Sequence, residues 1–354
     1  MSRVAIITDT HWGARNDSQL FLDYFSEFFE EQFFPTLRKY DIDTVIHAGD
    51  LLDRRKYINF NTLSTVRNKF MQPLKDMGVT VHCILGNHDT YYKNTNDLNS
   101  LKELFVDKYD NFILHDKPTV IDLDGFEISL LPWVNRENEE ESLEFIKNTK
   151  TDWLIAHLEL TGYDVMRGVK YKDGMNPAIF KRFEQVLTGH FHCKQEKGNI
   201  LYLGTPYQMT FSCVGETKGF WILDTETREM EYIQNKNKKF FSIIYNDEEI
   251  TYDKFISRTH KEYKDAYVKI YVTHKDKPYI LDKMIDTLYQ SGVFSLNVVD
   301  NMDDTFDFDN DDNADMTKST LELLFEEIDN NETLKNKKII KDLIKELYME
   351  SLTV

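Results

Sequence analysis

Cysteine is scarce in this sequence, with only 3 residues in 354. Cys83, Cys193 and Cys213 are widely spaced, which excludes a disulfide framework and a cysteine-based zinc site and favours reduced thiols in a cytosolic protein. Cys193 directly follows His192. In an extended strand their side chains would face opposite ways, so we expect Cys193 to be a small buried residue and not a metal ligand.

Long apolar runs are also missing. No segment approaches the roughly 18 consecutive apolar residues that a membrane-spanning helix needs, so no membrane partner is expected. Met1-Ser2-Arg3 leads directly into an apolar, strand-like segment, which predicts that there is no signal peptide. These absences together predict a globular, cytoplasmic protein.

Positive charge is in deficit as well. The chain has 43 Lys and Arg against 61 Asp and Glu, a net charge of −18 at pH 7. Residues 301–354 alone hold 15 acidic and 6 basic residues, so half of the excess is concentrated there. By composition this is not a basic nucleic-acid binder, and any contact with DNA must depend on local patches and bound cations.

The first two thirds of the chain alternate between strand-like and helix-like segments, and an Asp-Gly pair at 124–125 predicts a hairpin turn. Alternating βα units followed by hairpins predict an α/β fold in which two sheets pack together with helices outside. We expect this α/β/β/α sandwich to occupy residues 1–240. Apolar residues recur at helical spacing in residues 19–37, 61–77, 97–106 and 142–148.

A smaller unit is predicted after the pattern breaks at Asn235-Lys236-Asn237-Lys238-Lys239. A strand, an amphipathic helix and a second strand follow one another there, at 267–273, 279–291 and 294–299. We therefore expect a small α+β capping domain over residues 241–299.

The C-terminal residues are predicted to form an acidic linker and a helix pair. Residues 300–315 hold eight Asp and no Lys or Arg, which is typical of a solvated linker, and we place this linker at 300–316. Ser319-Thr320-Leu321-Glu322 matches a capping box, and apolar helical stripes follow within 317–354. Such stripes favour docking on a partner protein, with packing on the protein's own core as the alternative.

Five short, strand-like apolar segments run into residues that bind metals. Ligands gather at the carboxyl ends of strands in an open α/β sheet, so five such coincidences in one chain predict a polynuclear metal centre. The residues at these strand ends are Asp9 and His11, then Asp50, then Asn87, His88 and Asp89, then His157, and finally His190 and His192.

The residue types restrict the metal and its chemistry. Imidazole, carboxylate and amide donors without thiolate suit Mn²⁺, Fe or Zn²⁺ better than Ca²⁺ or Mg²⁺. A single aspartate such as Asp50 can bridge two cations, one on each carboxylate oxygen. Two cations about 3.5–4 Å apart would clamp a phosphate and support in-line hydrolysis. His190 and His192 would both point into the site if the backbone between them is extended.

The other histidines are expected to be structural. His47 and His82 lie within predicted strands and are expected in the sheets. His115, His260 and His274 are expected on the surface without partners.

Together, Asp-x-His, Gly-Asp, Gly-Asn-His-Asp, a later strand-end His and Gly-His-x-His resemble the calcineurin-like metallophosphoesterase superfamily. Their order and spacing are similar to those of SbcD-type nuclease subunits of DNA double-strand-break repair complexes, especially the subunits of phage recombination endonucleases. The resemblance covers essentially the whole chain and includes Leu203-Gly204-Thr205-Pro206 after the histidine pair.

The resemblance implies two Mn²⁺ ions per chain. It also implies that His88 is a general acid or transition-state stabiliser, and that Asp89 holds His88 or its loop in place. One ion would be held by Asp9, His11, Asp50 and His192, and the other by Asp50, Asn87, His157 and His190, with Asp50 bridging.

The implied activity is that of a Mn²⁺-dependent DNA exonuclease and single-strand endonuclease in DNA recombination and repair, in the cytoplasm of a phage-infected bacterium. The implied partners are DNA, an SbcC-like coiled-coil ATPase bound through 317–354, and a second copy of the chain bound through helices near 61–77 and 97–106. Arg54, Arg55 and Lys56 follow the Asp50 loop and are candidate contacts to DNA phosphates, with a solvated basic turn as the alternative.

Two other functions remain open on this sequence. Asp53-Arg54 matches the pattern of protein phosphatases, where cellular nucleases often have His in place of Asp53, so a phosphoprotein phosphatase or cyclic-nucleotide phosphodiesterase is one alternative. Asp89, where the phosphatases have Glu, and the long segment after Lys239 favour the nuclease. The non-enzyme alternative is a protein-binding scaffold on the same fold, although no ligand is missing.

Overall fold

Two six-stranded sheets organise the part of the chain that the computed structural model describes, which is residues 3–248 and 261–300 together with Ile328, Lys337 and Lys341. The chain divides into two compact units, Met1–Asp300 and Asn301–Val354. Apart from Asp300 and those three single positions, the predicted acidic linker and C-terminal helix pair lie outside the described residues.

The described strands are numbered in chain order. They are β1 (Arg3–Ile7), β2 (Thr44–His47), β3 (Thr80–Ile84), β4 (Phe112–His115), β5 (Thr119–Leu123), β6 (Phe126–Leu131), β7 (Trp153–His157), β8 (Asp164–Met166), β9 (Val169–Lys170), β10 (Gln185–Gly189), β11 (Gln195–Lys197), β12 (Ile200–Tyr202), β13 (Gly219–Asp224), β14 (Met230–Gln234), β15 (Phe240–Asn246), β16 (Tyr267–His274) and β17 (Ser295–Asp300).

The first sheet has the order β14-β13-β1-β2-β3-β4, in which β1 to β4 are parallel and β13 and β14 are antiparallel additions. The second has the order β11-β12-β10-β7-β6-β5, with a parallel centre from β12 to β6 and antiparallel edges. Asp124 and Gly125 both have positive φ and connect β5 to β6, which confirms the predicted hairpin turn.

Two long helices cover the first sheet, and each contains one wide turn in which an amide donates to a carbonyl five residues back. These bonds run from Phe34 N to Phe29 O and from Gln72 N to Arg67 O. Pro35 and Pro73 follow directly, so the ladder shifts where proline offers no amide hydrogen. The segments are Gln19–Phe28, Phe29–Phe33 and Phe34–Tyr40, then Phe60–Val66, Arg67–Met71 and Gln72–Asp76.

The predicted helix over 97–106 begins later than expected. The side chain of Asn99 accepts the amide of Lys102 at 2.9 Å and caps a short helix that begins at Ser100 and continues into the wide turn Lys102–Val106. Leu98, which we expected in the apolar stripe, lies before this cap and is 41% exposed. The other described helices are Glu139–Asn148 and Pro278–Gln290, and the short 3₁₀ turns are Pro177–Phe180, Phe211–Cys213 and Lys261–Tyr263.

Three hydrophobic clusters define the layers. The first lies between the long helices and the first sheet and includes Phe29 and Val45. The second lies between the two sheets and includes Ile46 and Ile155. The third lies on the outer face of the second sheet, where Ile146 of Glu139–Asn148 packs. This order of layers confirms the predicted α/β/β/α sandwich.

A three-stranded parallel sheet, ordered β15-β16-β17, follows the sandwich. Its helix, Pro278–Gln290, contributes Leu281, Met284 and Leu288 to a fourth hydrophobic cluster. The predicted strand–helix–strand unit is confirmed, and β15 adds a third strand that the sequence pattern did not indicate. Among the described helices, none combines the length and the apolar character needed to cross a bilayer.

Candidate metal centre

The carboxyl ends of parallel strands from both sheets meet at one edge of the sandwich. Strands β1, β2 and β3 lead there from the first sheet, and β7 and β10 lead there from the second. The two sheets are in direct contact at this edge, because His157 Nε2 lies 3.3 Å from Asp50 Oδ2 and the amide of His190 lies 3.1 Å from the Asp9 carboxylate. All seven predicted metal ligands therefore lie in one region.

Four of these residues surround a common point, which we call the first half-site: Asp9, His11, Asp50 and His192. His11 Nε2 lies 3.1 Å from His192 Nε2, 3.8 Å from Asp9 Oδ1 and 3.7 Å from Asp50 Oδ2. His192 Nε2 lies 4.0 Å from Asp9 Oδ1. Two imidazole nitrogens and two carboxylates directed at one point form a suitable donor set for a divalent transition metal.

The second half-site consists of Asp50, Asn87, His157 and His190. Asn87 Oδ1 lies 3.1 Å from His157 Nε2 and 2.8 Å from His190 Nδ1. Asp50 Oδ2 belongs to both half-sites, since it is 3.3 Å from His157 and 3.7 Å from His11. Asp50 Oδ1 also accepts the backbone amide of His88 at 2.7 Å, and the bridging role of Asp50 stays a prediction.

The backbone at these strand ends is left-handed at four non-glycine residues. The φ angles are 51° at Asp9, 41° at His11, 54° at Asp50 and 88° at His190. Such conformations cost on the order of 1–3 kcal/mol each and concentrate at functional sites. They also correct the expectation of an extended backbone at Gly189-His190-Phe191-His192: β10 ends before His190, and the two histidines point into different half-sites.

Glycines make room for this arrangement. Gly49 has a φ of 93°, and a Cβ on it would lie 2.5 Å from His157 Nδ1. A Cβ on Gly86 would overlap the Asp50 carboxylate, and one on Gly189 would overlap the hydroxyl of Thr8. Each predicted glycine before a ligand is thus needed for close approach of the chain to the ligands.

Asp89 holds the Asp50 loop and does not contact His88 through its side chain. Its carboxylate accepts the amides of Asp50 at 2.8 Å, Leu51 at 3.1 Å, Leu52 at 3.2 Å and Gly86 at 2.9 Å. Burial and the neighbouring Asp50 raise the pKa of Asp89 to about 7, and the amides oppose this increase. Of the two sequence alternatives for Asp89, the structure favours holding the loop.

His88 lies beside the first half-site. Its ring is 4.8 Å from the His11 ring, nearly perpendicular to it, and its Nδ1 lies 2.5 Å from the backbone carbonyl of Asp53. A carbonyl can only accept, so Nδ1 carries the hydrogen and Nε2 is the other ring atom available for a ligand. Burial lowers the pKa of His88, although Asp50 opposes this, so the free ring is neutral near pH 7.

Three of the predicted histidine ligands have polar groups on the far side of their rings. Ala48 O lies 2.8 Å from His157 Nδ1, Asp53 Oδ1 lies 3.3 Å from His11 Nδ1, and Glu159 Oε1 lies 3.5 Å from His190 Nε2. Such groups fix the tautomer and the direction of a metal-binding histidine. Sequence reasoning missed Asp53 and Glu159 in this role, and only their closeness to the predicted strand ends could have suggested it.

The predicted aspartate ligands of the candidate centre are ionised, which suits the binding of cations. Burial raises the pKa of Asp50, but His157, His88 and His11 outweigh it and hold that pKa well below its usual range. The pKa of His157 rises to about 9, because Asp50 and Asp9 outweigh the effect of burial. Without a cation, the carboxylates are thus neutralised by protonated histidines, and a bound metal would displace those protons.

The three basic residues after the Asp50 loop differ from one another. Arg54 is engaged by a left-handed turn at Ala14–Asp17: its guanidinium lies 3.1 Å from Asp17 and 2.7 Å from Asn16 Oδ1. Arg55 is half-buried, and its Nη1 has no hydrogen-bond partner among the described residues. Lys56 is exposed. Of the predicted basic contacts, Arg55 is the one with a buried donor available.

The remaining histidines are more often paired than expected. His47 is buried in β2, with Nε2 3.0 Å from Thr10 Oγ1. His82 and His115 lie 2.9 Å apart, and His274 lies 2.7 Å from Asp247, so the expectation that His115 and His274 lack partners is wrong. His260 lies outside the described residues.

Cys193 and the start of the second long helix also differ from simple expectation. Cys193 is half-buried and donates its thiol to Glu216 Oε1 at 3.0 Å, so it is held by a polar contact and not only by packing.

Phe60, at the start of Phe60–Val66, is 88% exposed, and Tyr57 just before it is 63% exposed. Both exposed rings lie at or just before the start of the predicted self-association helix.

Comparison with known proteins agrees with the interpretation of the strand-end motifs. The calcineurin-like phosphoesterase family matches residues 2–194. Exonuclease subunit 1 of Enterobacteria phage T4 is 36% identical over 291 residues, which covers 82% of this chain and 81% of that protein. The SbcD component of the nuclease SbcCD from Staphylococcus epidermidis is 24% identical over 258 residues, covering 64% and 67%. A solved archaeal phosphodiesterase is 15% identical, with a TM-score of 0.32, over 66% of this chain and 99% of that one.

Proposed function

The chain belongs to the calcineurin-like phosphoesterase family and is therefore a hydrolase of phosphate esters, and we propose that its substrate is DNA. On this proposal it is the Mn²⁺-dependent exonuclease and endonuclease subunit of a recombination and double-strand-break repair complex. The 36% identity to the phage exonuclease subunit over most of both chains supports this choice of substrate.

The observation that carries the mechanism is the position of Asp50 Oδ2 between the two half-sites. Asp9, His11 and His192 would hold one ion, and Asn87, His157 and His190 would hold the other, with Asp50 shared. When bound, a pair of such cations supplies Lewis-acid activation of the phosphodiester and of the attacking water. Imidazole donors in both half-sites favour Mn²⁺ over Mg²⁺.

His88 would act on the scissile phosphate and not on a cation. The carbonyl of Asp53 holds Nδ1, so Nε2 is directed by a fixed ring and can donate a proton only when the ring is charged. Because burial keeps the free ring neutral, the negative charge of a bound phosphate would have to raise its pKa before it acts as an acid. His88 then protonates the leaving oxygen or stabilises its charge.

The contacts of Asp53 and Arg54 support the nuclease proposal over the phosphatase alternative. That alternative depended on Asp53-Arg54, but the Arg54 guanidinium is engaged by Asp17 and Asn16 and is not free for a phosphate. Asp53 contacts His11 through its carboxylate and His88 through its carbonyl. Arg55 and the exposed Lys56 remain the candidates for a DNA phosphate contact.

A direct test compares three substrates at equal concentration: linear DNA, a phosphopeptide and a cyclic nucleotide, each with Mn²⁺. We expect cleavage of DNA to exceed that of the other two by orders of magnitude. Asp9→Asn protein, prepared in parallel, should be inactive and excludes a contaminating nuclease. Asp107→Asn, which changes an exposed aspartate, should match the wild type. Preferred hydrolysis of the phosphopeptide or cyclic nucleotide would replace the nuclease assignment.

The proposed partners follow from the same interpretation. Residues 241–299 would guide DNA, residues 317–354 would dock on an SbcC-like ATPase, and the surface at Tyr57 and Phe60 would contribute to a homodimer. Truncation after Asp315 should leave a folded protein with Mn²⁺ nuclease activity that no longer co-purifies with the ATPase. Retained ATPase binding, or unfolding of the truncated protein, would count against this docking role.

A further inference from the structure

A buried lysine lies against the backbone of a metal ligand. Lys218 is 4% exposed, and its Nζ donates to the carbonyl oxygen of His192 at 2.8 Å. The same Nζ lies 2.8 Å from Glu216 Oε2. Neither Lys218 nor Glu216 belongs to a strand-end motif, and neither side chain is used in the mechanism above.

Removing an ammonium group from water is expensive unless it is paired. Glu216 provides the pair, and its other oxygen accepts the thiol of Cys193, the residue after His192. One carboxylate is therefore linked both to the lysine that binds His192 and to the next residue of the chain. The amide of Thr205 adds a second donor to the His192 carbonyl at 3.2 Å.

His192 needs such support more than the other histidine ligands do. Strand β10 ends at Gly189, and the left-handed φ of 88° at His190 takes the following residues out of the sheet ladder. The His192 side chain is 39% exposed, whereas those of His11 and His157 are 3% and 0% exposed. Packing therefore holds His192 weakly, and its direction depends on the backbone that carries it.

We infer that Lys218 is a positioning residue, which fixes the His192 backbone so that Nε2 stays directed at the first half-site. This inference rests on the proposed two-metal centre. Groups that orient a ligand without touching the metal typically change metal affinity by about 10–100-fold. The loss of Lys218 should therefore lower the affinity for one of the two Mn²⁺ ions by about that factor and leave the affinity for the other nearly unchanged.

The test is Mn²⁺ titration by calorimetry with elemental analysis on the full-length protein, for wild type and Lys218→Met. Methionine keeps most of the volume and removes the charge. His192→Ala marks the effect of losing the ligand itself. Lys239→Met is the matched control, because Lys239 is also buried, at 8% exposed, and lies over the Tyr24 ring.

A second readout separates positioning from general loss of structure. At saturating Mn²⁺, single-turnover DNA cleavage by Lys218→Met should return to within a few-fold of wild type, since the ligands are all present. A residue needed only for folding would lower the melting temperature and would not shift the Mn²⁺ concentration for half-maximal cleavage. Lys218→Met leaves Glu216 unpaired, so Lys218→Met/Glu216→Gln provides a variant without a lone buried charge. It should show the same loss of Mn²⁺ affinity.

The outcomes are distinguishable. Wild-type Mn²⁺ affinity at both half-sites in either Lys218 variant would overturn the role of Lys218 and leave the two-metal proposal standing. An equal loss of affinity for both Mn²⁺ ions, also seen with Lys239→Met, would likewise overturn the role of Lys218. If wild-type protein bound no Mn²⁺ at all, the proposed function itself would fail, and the role of Lys218 with it.

Discussion

The candidate metal centre and the helix layer share strands β1 to β3 but use buried residues in opposite ways. At the strand ends, Asp9, Asp50 and Asp89 are buried, and each lies within about 4 Å of another polar group. The backbone there contains left-handed residues. In the helix layer, Phe29 and its neighbours are buried among aromatic rings. The first arrangement is costly without a ligand and the second is favourable by itself, so function and stability have separate sources.

One residue joins the two regions. Trp12 directly follows the predicted ligand His11, is 1% exposed, and stacks on Phe29 with ring centroids 5.4 Å apart. Its ring also meets the edge of Phe25 at 5.8 Å. The helix layer therefore fixes the first ligand loop as well as stabilising the sandwich. Substitutions in either region measure how far this separation holds.

The largest effect is expected from Asp50→Asn. The change removes the charge shared by both half-sites, so Mn²⁺-dependent cleavage should fall by at least about three orders of magnitude. Wild-type protein should melt at a higher temperature with Mn²⁺ than with a chelator, because a ligand that binds only the folded state stabilises it. The variant should lose this shift, which differential scanning calorimetry measures. An intact Mn²⁺ shift in Asp50→Asn would contradict the bridging assignment.

His88→Ala separates chemistry from metal binding within the centre. Because His88 is assigned to the phosphate, single-turnover cleavage should fall by roughly 10²–10⁴-fold with Mn²⁺ content unchanged. His190→Ala is the comparison, and it should lose metal from the second half-site. Elemental analysis of both purified variants decides, and equal depletion in the two would show that His88 is a ligand.

Phe29→Ala tests the helix layer. Truncating this fully buried ring should lower the free energy of unfolding by about 3–5 kcal/mol, as measured by urea denaturation. At low temperature, where the variant remains folded, Mn²⁺ content should stay near that of the wild type. Tyr279→Ala, at a 64% exposed ring, is the matched control and should change stability by less than about 0.5 kcal/mol. Loss of Mn²⁺ from folded Phe29→Ala would mean that Trp12 couples the regions strongly.

The smallest effect is expected at the His82 and His115 pair, away from both regions. Burial lowers the pKa of both rings, that of His115 to about 4 with a contribution from His82. The unfolded chain then binds more protons below pH 6.5, so the stability is complete above that pH and falls as pH decreases toward 4. His115→Gln should reduce this decrease, by no more than about 1 kcal/mol for partly exposed rings. Urea denaturation at pH 7.5 and 5 measures the decrease in the free energy of unfolding. Identical decreases in wild type and His115→Gln would contradict this prediction.

Much of the fold was readable from periodicity and local signals. The apolar spacing of Leu22, Phe25 and Phe29 predicted the first long helix, and Asp124-Gly125 predicted the hairpin between β5 and β6. The start of the helix at Ser100 was misjudged, because the Asn99 cap competes with an apolar pattern that begins at Leu98. Strand β15 was missed because it pairs with residues 27 positions further along the chain, as Phe240 does with Tyr267, and parallel pairing leaves no local signal.

The sequence by itself determined which residues stand at the ends of the parallel strands, because strand periodicity and the glycines before the ligands are local properties. It also determined the chemistry of the centre, since donor type is a property of each side chain. Tertiary structure decided how closely these strand ends approach one another, with Asp50 Oδ2 near both His11 and His157, and that Asp53, Glu159 and Lys218 lie beside the predicted ligands. These features depend on distances between segments far apart in the chain, which no spacing along it encodes.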